Sequence, residues 1–231
     1  MIEPVGRSPP RLRSMIVTID GPAGAGKSTV ARALARRLDF AVLDTGAMYR
    51  AVTLAAIRRH IDFLLADRLL EAAREAKVEL AGDRTFLDGE DVSDVIRLPE
   101  ISRAIRFVAD EPRVREILVE RQRRIAERGD YVAEGRDQGT VVFPEAPCKI
   151  FLTAGIEERA RRRFDELLAR GQSPTLEETA HEVRLRDAAD QARPVGALRK
   201  APDAVEIWTD GKSLEEVVAE LERLVRSKAA S

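Results

Sequence analysis

The run MIVTIDGPAGAGKST (15–29) constrains the chain more than any other stretch. A short apolar, β-branched segment leads at once into Gly21, four further residues, then Gly26, Lys27 and Ser28, and a helical pattern, STVARALARRL, follows. This is G-x-x-x-x-G-K-[ST] in the strand, loop, helix setting that the motif requires. Glycines let backbone N–H groups converge on phosphate oxygens, and the helix N-terminus adds positive potential. The expectation is a bound nucleoside triphosphate, cradled by Gly21, Pro22, Ala23, Gly24, Ala25, Gly26, Lys27, Ser28 and Thr29. Lys27 should reach the β and γ phosphates while the Ser28 hydroxyl ligates Mg2+. Such a loop serves switches, motors and kinases alike, so it does not choose the reaction. No guanine-reading N-K-x-D occurs, which disfavours a GTPase.

Four more runs resemble the first strand: FAVLD (40–44), YVAE (131–134), KIFLTA (149–154) and AVEIWTD (204–210). Helical patterns separate them, which is the signature of a parallel sheet covered on both sides, and the fold class is α/β with five parallel strands. Between the second and third strands the rhythm breaks. KVELAGDRTFLDGEDV (77–92) alternates and turns at Gly82-Asp83, like a small antiparallel hairpin. Residues 72–108 are therefore read as a small α+β insertion, a natural substrate-covering element, in a core made of 15–71 and 109–231. The last helix opens with a capping box, Ser213 with Glu216.

The 231 residues fit one compact domain with such an insertion. Lys plus Arg (39) nearly cancels Asp plus Glu (40), so no global field exists to hold nucleic acid or an anionic membrane. Any anion site must be local. A lone Cys148 rules out a disulfide framework, suits a reducing compartment and reads as a core residue. His60 and His181 read as surface residues, and Trp208 as core. Residues 1–14, with three prolines and three arginines, read as a disordered tail without the apolar region of a signal peptide, and Met15 offers a second start for translation. No run is long enough to span a membrane, so the expected setting is cytoplasmic.

Several segments suit a second anion. In DTGAMYRA, Asp44 and Thr45 should cap a helix that carries Tyr49 and Arg50 one turn inside. EGRDQGT (134–140) sets Glu134, Arg136 and Asp137 at the carboxyl end of a strand, where parallel sheets form ligand crevices. EERARRRFDELLARG (157–171) gathers Arg159, Arg161, Arg162 and Arg163 at a helix start, where cations oppose the dipole and imply an anionic partner. RDAADQAR (186–193) puts Arg186, Asp190 and Arg193 on one helical face before Pro194 stops the helix. Taken alone, that face is a solvated salt-bridge ladder.

Together GPAGAGKST, LDTGAMYRA, PRVREILVERQR, AEGRDQGTVVFPEAPCKIFLTA, EERARRR and RDAADQAR resemble, in order and approximate spacing, the bacterial cytidylate kinases. That likeness covers the chain from about residue 15 onward. It implies a phosphate-loop nucleoside monophosphate kinase fold, phosphorylation of CMP or dCMP by ATP with Mg2+, and an insertion that binds the acceptor nucleotide. By the same resemblance Arg50, Arg136 and Arg193 clamp the acceptor phosphate, and Arg186 and Asp190 lie near the sugar. Thr45 stands in the same pocket, and Arg115 and Asp137 read the base. Lys27, Arg136, Arg159, Arg163 and Arg193 are the implied catalytic cations, with 155–171 as a mobile lid. Arg106 departs from the pattern, standing where a small hydroxyl residue is expected, with Ser102 one turn away. The implied partners are small nucleotides only, acted on by a monomer. Two rivals are a kinase for another small acceptor and a nucleotide-dependent module without turnover.

Overall fold

The computed structural model describes residues 15–169 and 171–229. The tail read at 1–14 lies outside the described residues. The main sheet joins β1 (Ile16–Asp20), β2 (Ala41–Asp44), β6 (Tyr131–Gly135), β7 (Cys148–Thr153) and β8 (Val205–Trp208) in the order β2-β6-β1-β7-β8. All four pairings are parallel, so every strand ends at the same edge. The five runs read as strands are these five.

Every residue of β1 is buried, because both faces are covered. Val17 and Ile19 point into a core with Val132, Ile150 and Leu152, closed by α1 (Lys27–Leu38) and α8 (Leu214–Ala229). Ile16, Leu43 and Ala133 face the other way, against α2 (Thr45–Arg58), α3 (Ala66–Glu75), α4 (Pro99–Ala109) and α5 (Pro112–Ala126). The α8 capping box is formed, Ser213 and Glu216 exchanging bonds at both ends.

The hairpin forms as β3 (Val78–Ala81) and β4 (Arg84–Leu87), antiparallel about Gly82-Asp83. A two-residue β5 (Glu90–Asp91) extends it to three strands. Leu87, Val92, Ile96, Ile101 and Val108 share the core of α2 and α5, so this small sheet is packed onto the main body. At the hairpin tip Asp83 pairs with Arg32 of α1 at 2.9 Å, and Arg32 also comes within 3.8 Å of Asp44.

The remaining helices, α6 (Ile156–Ala169) and α7 (Leu176–Ala192), pack along one another beyond the carboxyl edge. Two sequence expectations need correction here. Trp208 is 53% exposed rather than core: β8 is an edge strand, only Ile207 points inward, and the indole donates to Glu206 at 3.0 Å. The first turn of α6 is acidic, with Glu157 and Glu158 ahead of the arginines, so the helix dipole is already complemented there. Cys148 is buried and free, and His60 and His181 are exposed, as read. Among the described residues no helix is long and apolar enough to cross a membrane.

Leu34 is fully buried between α1, the sheet and α8. Leu34→Ala should therefore lower the unfolding free energy by about 2–5 kcal/mol, read from the midpoint of a urea titration.

Candidate active site

The parallel register brings the chemistry to one edge. Asp44 lies opposite Glu134, Asp20 opposite Gly135 on one side and Phe151 on the other, and the glycine loop leaves β1 between them. This is the point where connections from β1 and β6 diverge to opposite sides of the sheet, the usual place for a ligand crevice. Gly21 must be glycine, since a Cβ there would collide with the Leu152 carbonyl. At Gly24, with φ of 78°, a Cβ would come 2.9 Å from the backbone oxygen of Arg159. Gly26 precedes α1 with no side-chain cap, so the first N–H groups of that helix are left for a ligand. Lys27 is 6% exposed and donates to the Pro22 carbonyl at 2.7 Å. Ser28 lies in the first turn, and Thr29 is exposed on the same helix.

Around this loop the arginines converge. Burial pushes the Lys27 ammonium well below its ordinary value, and the Arg136 and Arg186 guanidinium groups push it further. Arg186 is likewise lowered to about 10 by burial, then by Arg136, Arg50 and Arg163. Arg50 falls too, chiefly through burial, with Asp44 opposing and Arg136 and Arg97 adding to the shift. Among the described residues, neither Arg50 nor Arg186 has a hydrogen-bond or ion-pair partner. Two half-buried guanidinium groups that repel one another and make no ion pair of their own are unfavourable unless an anion is to be bound.

Other members of the set are committed. Arg136 donates to Asp190 at 2.8 Å, and Arg193 donates to Asp190 at 2.8 Å and to Asp110 at 2.6 Å. Asp190 is held below the usual carboxylate range: burial works against this, but Arg136 outweighs it with help from Arg186 and Arg193. Arg193 sits just past the last turn of α7, not on its face as the spacing suggested, because the residue before Pro194 is forced to extended backbone. The ladder reading is thus half right: Asp190 does bridge two arginines, while Arg186 on the same face stays unpaired.

Arg115 and Asp137 form a buried ion pair, and the Arg115 guanidinium stands 5.5 Å from the centre of the Tyr49 ring. Asp137 is raised by burial, against the pull of Arg115. Asp44 caps α2, accepting from the Ala47 N–H at 2.8 Å. Thr45 does not cap; its hydroxyl donates to the Glu134 carbonyl at 2.7 Å, tying α2 to β6. Arg106 is exposed and lies over Phe107, while Ser102 is partly buried.

The α6 arginines divide. Arg159 is buried and spends its donors on the Ala154 carbonyl at 2.9 Å, the Ala23 carbonyl at 3.1 Å and the Asp187 carboxylate. It fastens the glycine loop, α6 and α7 together. Arg161 pairs with Glu158, and Arg162 with Glu158 and Thr209. Arg163 pairs with Glu166 at 2.8 Å yet still contributes to the field on Arg186.

Four acidic residues carry more than the sequence reading gave them. Asp20 is fully enclosed and accepts from the N–H groups of Gln138 and Gly139, and its carboxyl is pushed up to about 6 by burial, with the Asp137 charge adding to the rise. In the sequence it was only the polar end of a strand. Asp110 and Asp187 pair with arginines 83 and 28 residues away, which no local pattern could signal. Glu134 is raised by burial and then by Asp44, while Lys27 and the Ser28 hydroxyl act the other way. Its Oε1 is buried without a hydrogen-bond partner. Mg2+ takes oxygen ligands, few of them from protein, so the Ser28 hydroxyl and this orphaned carboxylate oxygen fit that ion.

A family model described as cytidylate kinase matches residues 17–227. A cytidylate kinase of Rhodopirellula baltica is 52% identical over 212 residues, covering 92% of this chain and 93% of that protein. One from Caldanaerobacter subterraneus subsp. tengcongensis is 49% identical over 210 residues, covering 91% and 94%. One from Geobacillus thermodenitrificans is 47% identical over 220 residues, covering 94% and 98%.

The raised carboxyl of Asp20 fixes the sign of a pH dependence. Its folded value of about 6 exceeds the ordinary 3.8, so between those values the folded chain binds a proton that the unfolded chain does not. The stabilisation is complete below 3.8 and is lost as pH rises through 6. In nucleotide-free buffer the unfolding free energy should accordingly fall from about pH 4 to about pH 6 and level off above, by at most about 1.4 kcal/mol per pH unit for this group. Urea titrations across that range measure it, and Asp20→Asn should flatten the slope.

Proposed function

The chain belongs to the cytidylate kinase family and transfers the γ-phosphate of ATP to CMP or dCMP, giving CDP or dCDP and ADP; we propose how its residues divide that work. ATP lies on residues 21–29, its β and γ phosphates against Lys27 and the uncapped start of α1. Arg50, Arg136 and Arg193 hold the acceptor phosphate, and Arg186 bridges from that clamp toward Lys27. The observation that carries this reading is the pair of arginines, Arg50 and Arg186, left without partners beside a lysine already repelled by its neighbours. Asp190 serves the sugar hydroxyls, held in place by Arg136 and Arg193. Residues 72–108 act as the acceptor-binding insertion, and 155–171 close as a lid.

Arg115 and Asp137 read the base. Cytosine offers O2 and N3 as acceptors and its 4-amino group as a donor, which suits a guanidinium beside a carboxylate. Uracil presents a carbonyl to Asp137 instead, leaving buried polar groups mismatched at a cost of about 1–3 kcal/mol. Thr45 and Tyr49 border this pocket from the first turns of α2.

No general base is required. The second pKa of a phosphate monoester is about 6, so the attacking oxygen is already ionised at neutral pH. Catalysis consists of aligning two mutually repelling anions and stabilising the charge that spreads over the phosphoryl group in transit, the work of Lys27, Arg136, Arg186 and Arg163. Arg159 acts as a positioning residue, holding the Ala23 carbonyl and α7 in register. When bound, Mg2+ would neutralise charge on the β and γ phosphate oxygens, with Ser28 and Glu134 holding the ion or its water.

The reading includes a cytoplasmic monomer that acts on small nucleotides rather than on nucleic acid or membranes. Its support is the near-zero net charge of −1 and a single cysteine whose thiol burial pushes up to about 11.

Arg50→Ala tests the division of labour. In an ADP-release assay kcat/KM for CMP should fall by about 100-fold or more, as expected for losing a charge-assisted phosphate contact, with the KM for ATP changed less than about threefold. An equal loss toward both nucleotides would move Arg50 to the donor side.

A further inference from the structure

We propose that Asp20 is the positioning residue for base recognition: its carboxylate, at the end of β1, holds the backbone turn that presents Arg136 and Asp137, and so sets where the acceptor base lies relative to the glycine loop. The inference rests on the reading of Asp137 as the base-reading carboxylate.

Five observations carry it. Each oxygen of Asp20 takes one of two consecutive backbone donors, the Gln138 N–H at 2.8 Å and the Gly139 N–H at 2.7 Å, across 118 residues of chain. These donors open a single π-turn, Gln138–Val142, whose own leading residue, Asp137, makes no side-chain cap. The Asp137 carboxylate is turned to Arg115 instead. Asp20 thus satisfies the turn that Asp137 would otherwise have to cap, and Asp137 is left available to a ligand.

The packing is tight enough to transmit position. A Cβ on Gly139 would fall 3.0 Å from the Thr18 hydroxyl, 3.3 Å from Lys149 Cδ and 3.4 Å from Asp20 Oδ2. Finally, the residue after Asp20 is Gly21, the first of the glycine loop. One residue therefore carries the donor nucleotide's loop on its backbone and the acceptor's reading edge on its side chain. The other charged groups acting on it are Asp137 from the turn and Lys27 from α1, with Lys149 of β7 packed across Gly139.

Asp20→Asn retains the shape but offers only one acceptor, turning an NH2 group toward the second N–H. With the full chain and an ADP-release assay, kcat/KM for CMP should fall by about 10- to 100-fold, the loss expected for one charged hydrogen bond. The preference for CMP over UMP should narrow, while the KM for ATP stays within about threefold. Asp137→Asn, measured beside it, separates the two levels of the argument. If Asp137→Asn leaves the CMP-to-UMP ratio unchanged, the base-reading assignment falls and this inference with it. If Asp137→Asn narrows the ratio and Asp20→Asn does not, the anchor alone is wrong. Equal losses toward CMP and ATP with the ratio intact would likewise overturn it, making Asp20 a support for the glycine loop only. Should Asp20→Asn fail to fold, Gly139→Ala, which crowds the same carboxylate from the other side, carries the test in the same direction.

Discussion

Like charges packed together in a half-buried crevice are the constraint on which this structure turns. Lys27, Arg50, Arg136, Arg186 and Arg193 come from four separate segments, and Arg136 and Arg186 raise the cost of charging Lys27 while Arg50 and Arg136 raise that of Arg186. A fold tolerates this only if rigid elements hold the groups and enough carboxylate is supplied to keep the crevice from flying apart. The parallel sheet meets the first need by ending every strand at the same edge. Glu134, Asp190, Asp137 and Asp44 meet the second, and they do so incompletely. Under the proposed function that incompleteness is what serves the reaction, since two guanidinium groups are left whose geometry matches phosphate.

Burial has the opposite effect on the acidic members. Asp20, Glu134 and Asp137 all carry raised carboxyls because they sit at the covered ends of β1 and β6. None of them contributes to stability by being charged there. Their retention in ionised form is better explained by what they hold: a backbone turn for Asp20, an arginine for Asp137, and the neighbourhood of Ser28 for Glu134.

Most of the scaffold was legible in the sequence, because period-2 and period-3.6 patterns are local. The five strands, the hairpin about Gly82-Asp83 and the capping box at Ser213 all follow from residues a few positions apart. So did the cradle, whose glycines answer to contacts with Leu152 and Arg159 that only glycine permits. The failures share one cause, which is that partners distant in the chain decide what a charged or aromatic residue does. Arg159 looks in the sequence like Arg161, Arg162 and Arg163, yet it alone is buried against the Ala23 carbonyl. Trp208 has the composition of a core residue, but strand order puts it on an uncovered edge. Asp20, Asp110 and Asp187 carried no pattern at all.

Arg159 has a mechanical consequence. It joins the Ala23 carbonyl of the cradle to Asp187, and Asp187 lies on α7 between Arg186 and Asp190. One turn of one helix is thereby geared to both halves of the crevice. Any displacement of α7 would therefore be passed through Arg159 to the Ala23 carbonyl, so the glycine loop and the Arg186–Asp190 turn are mechanically joined.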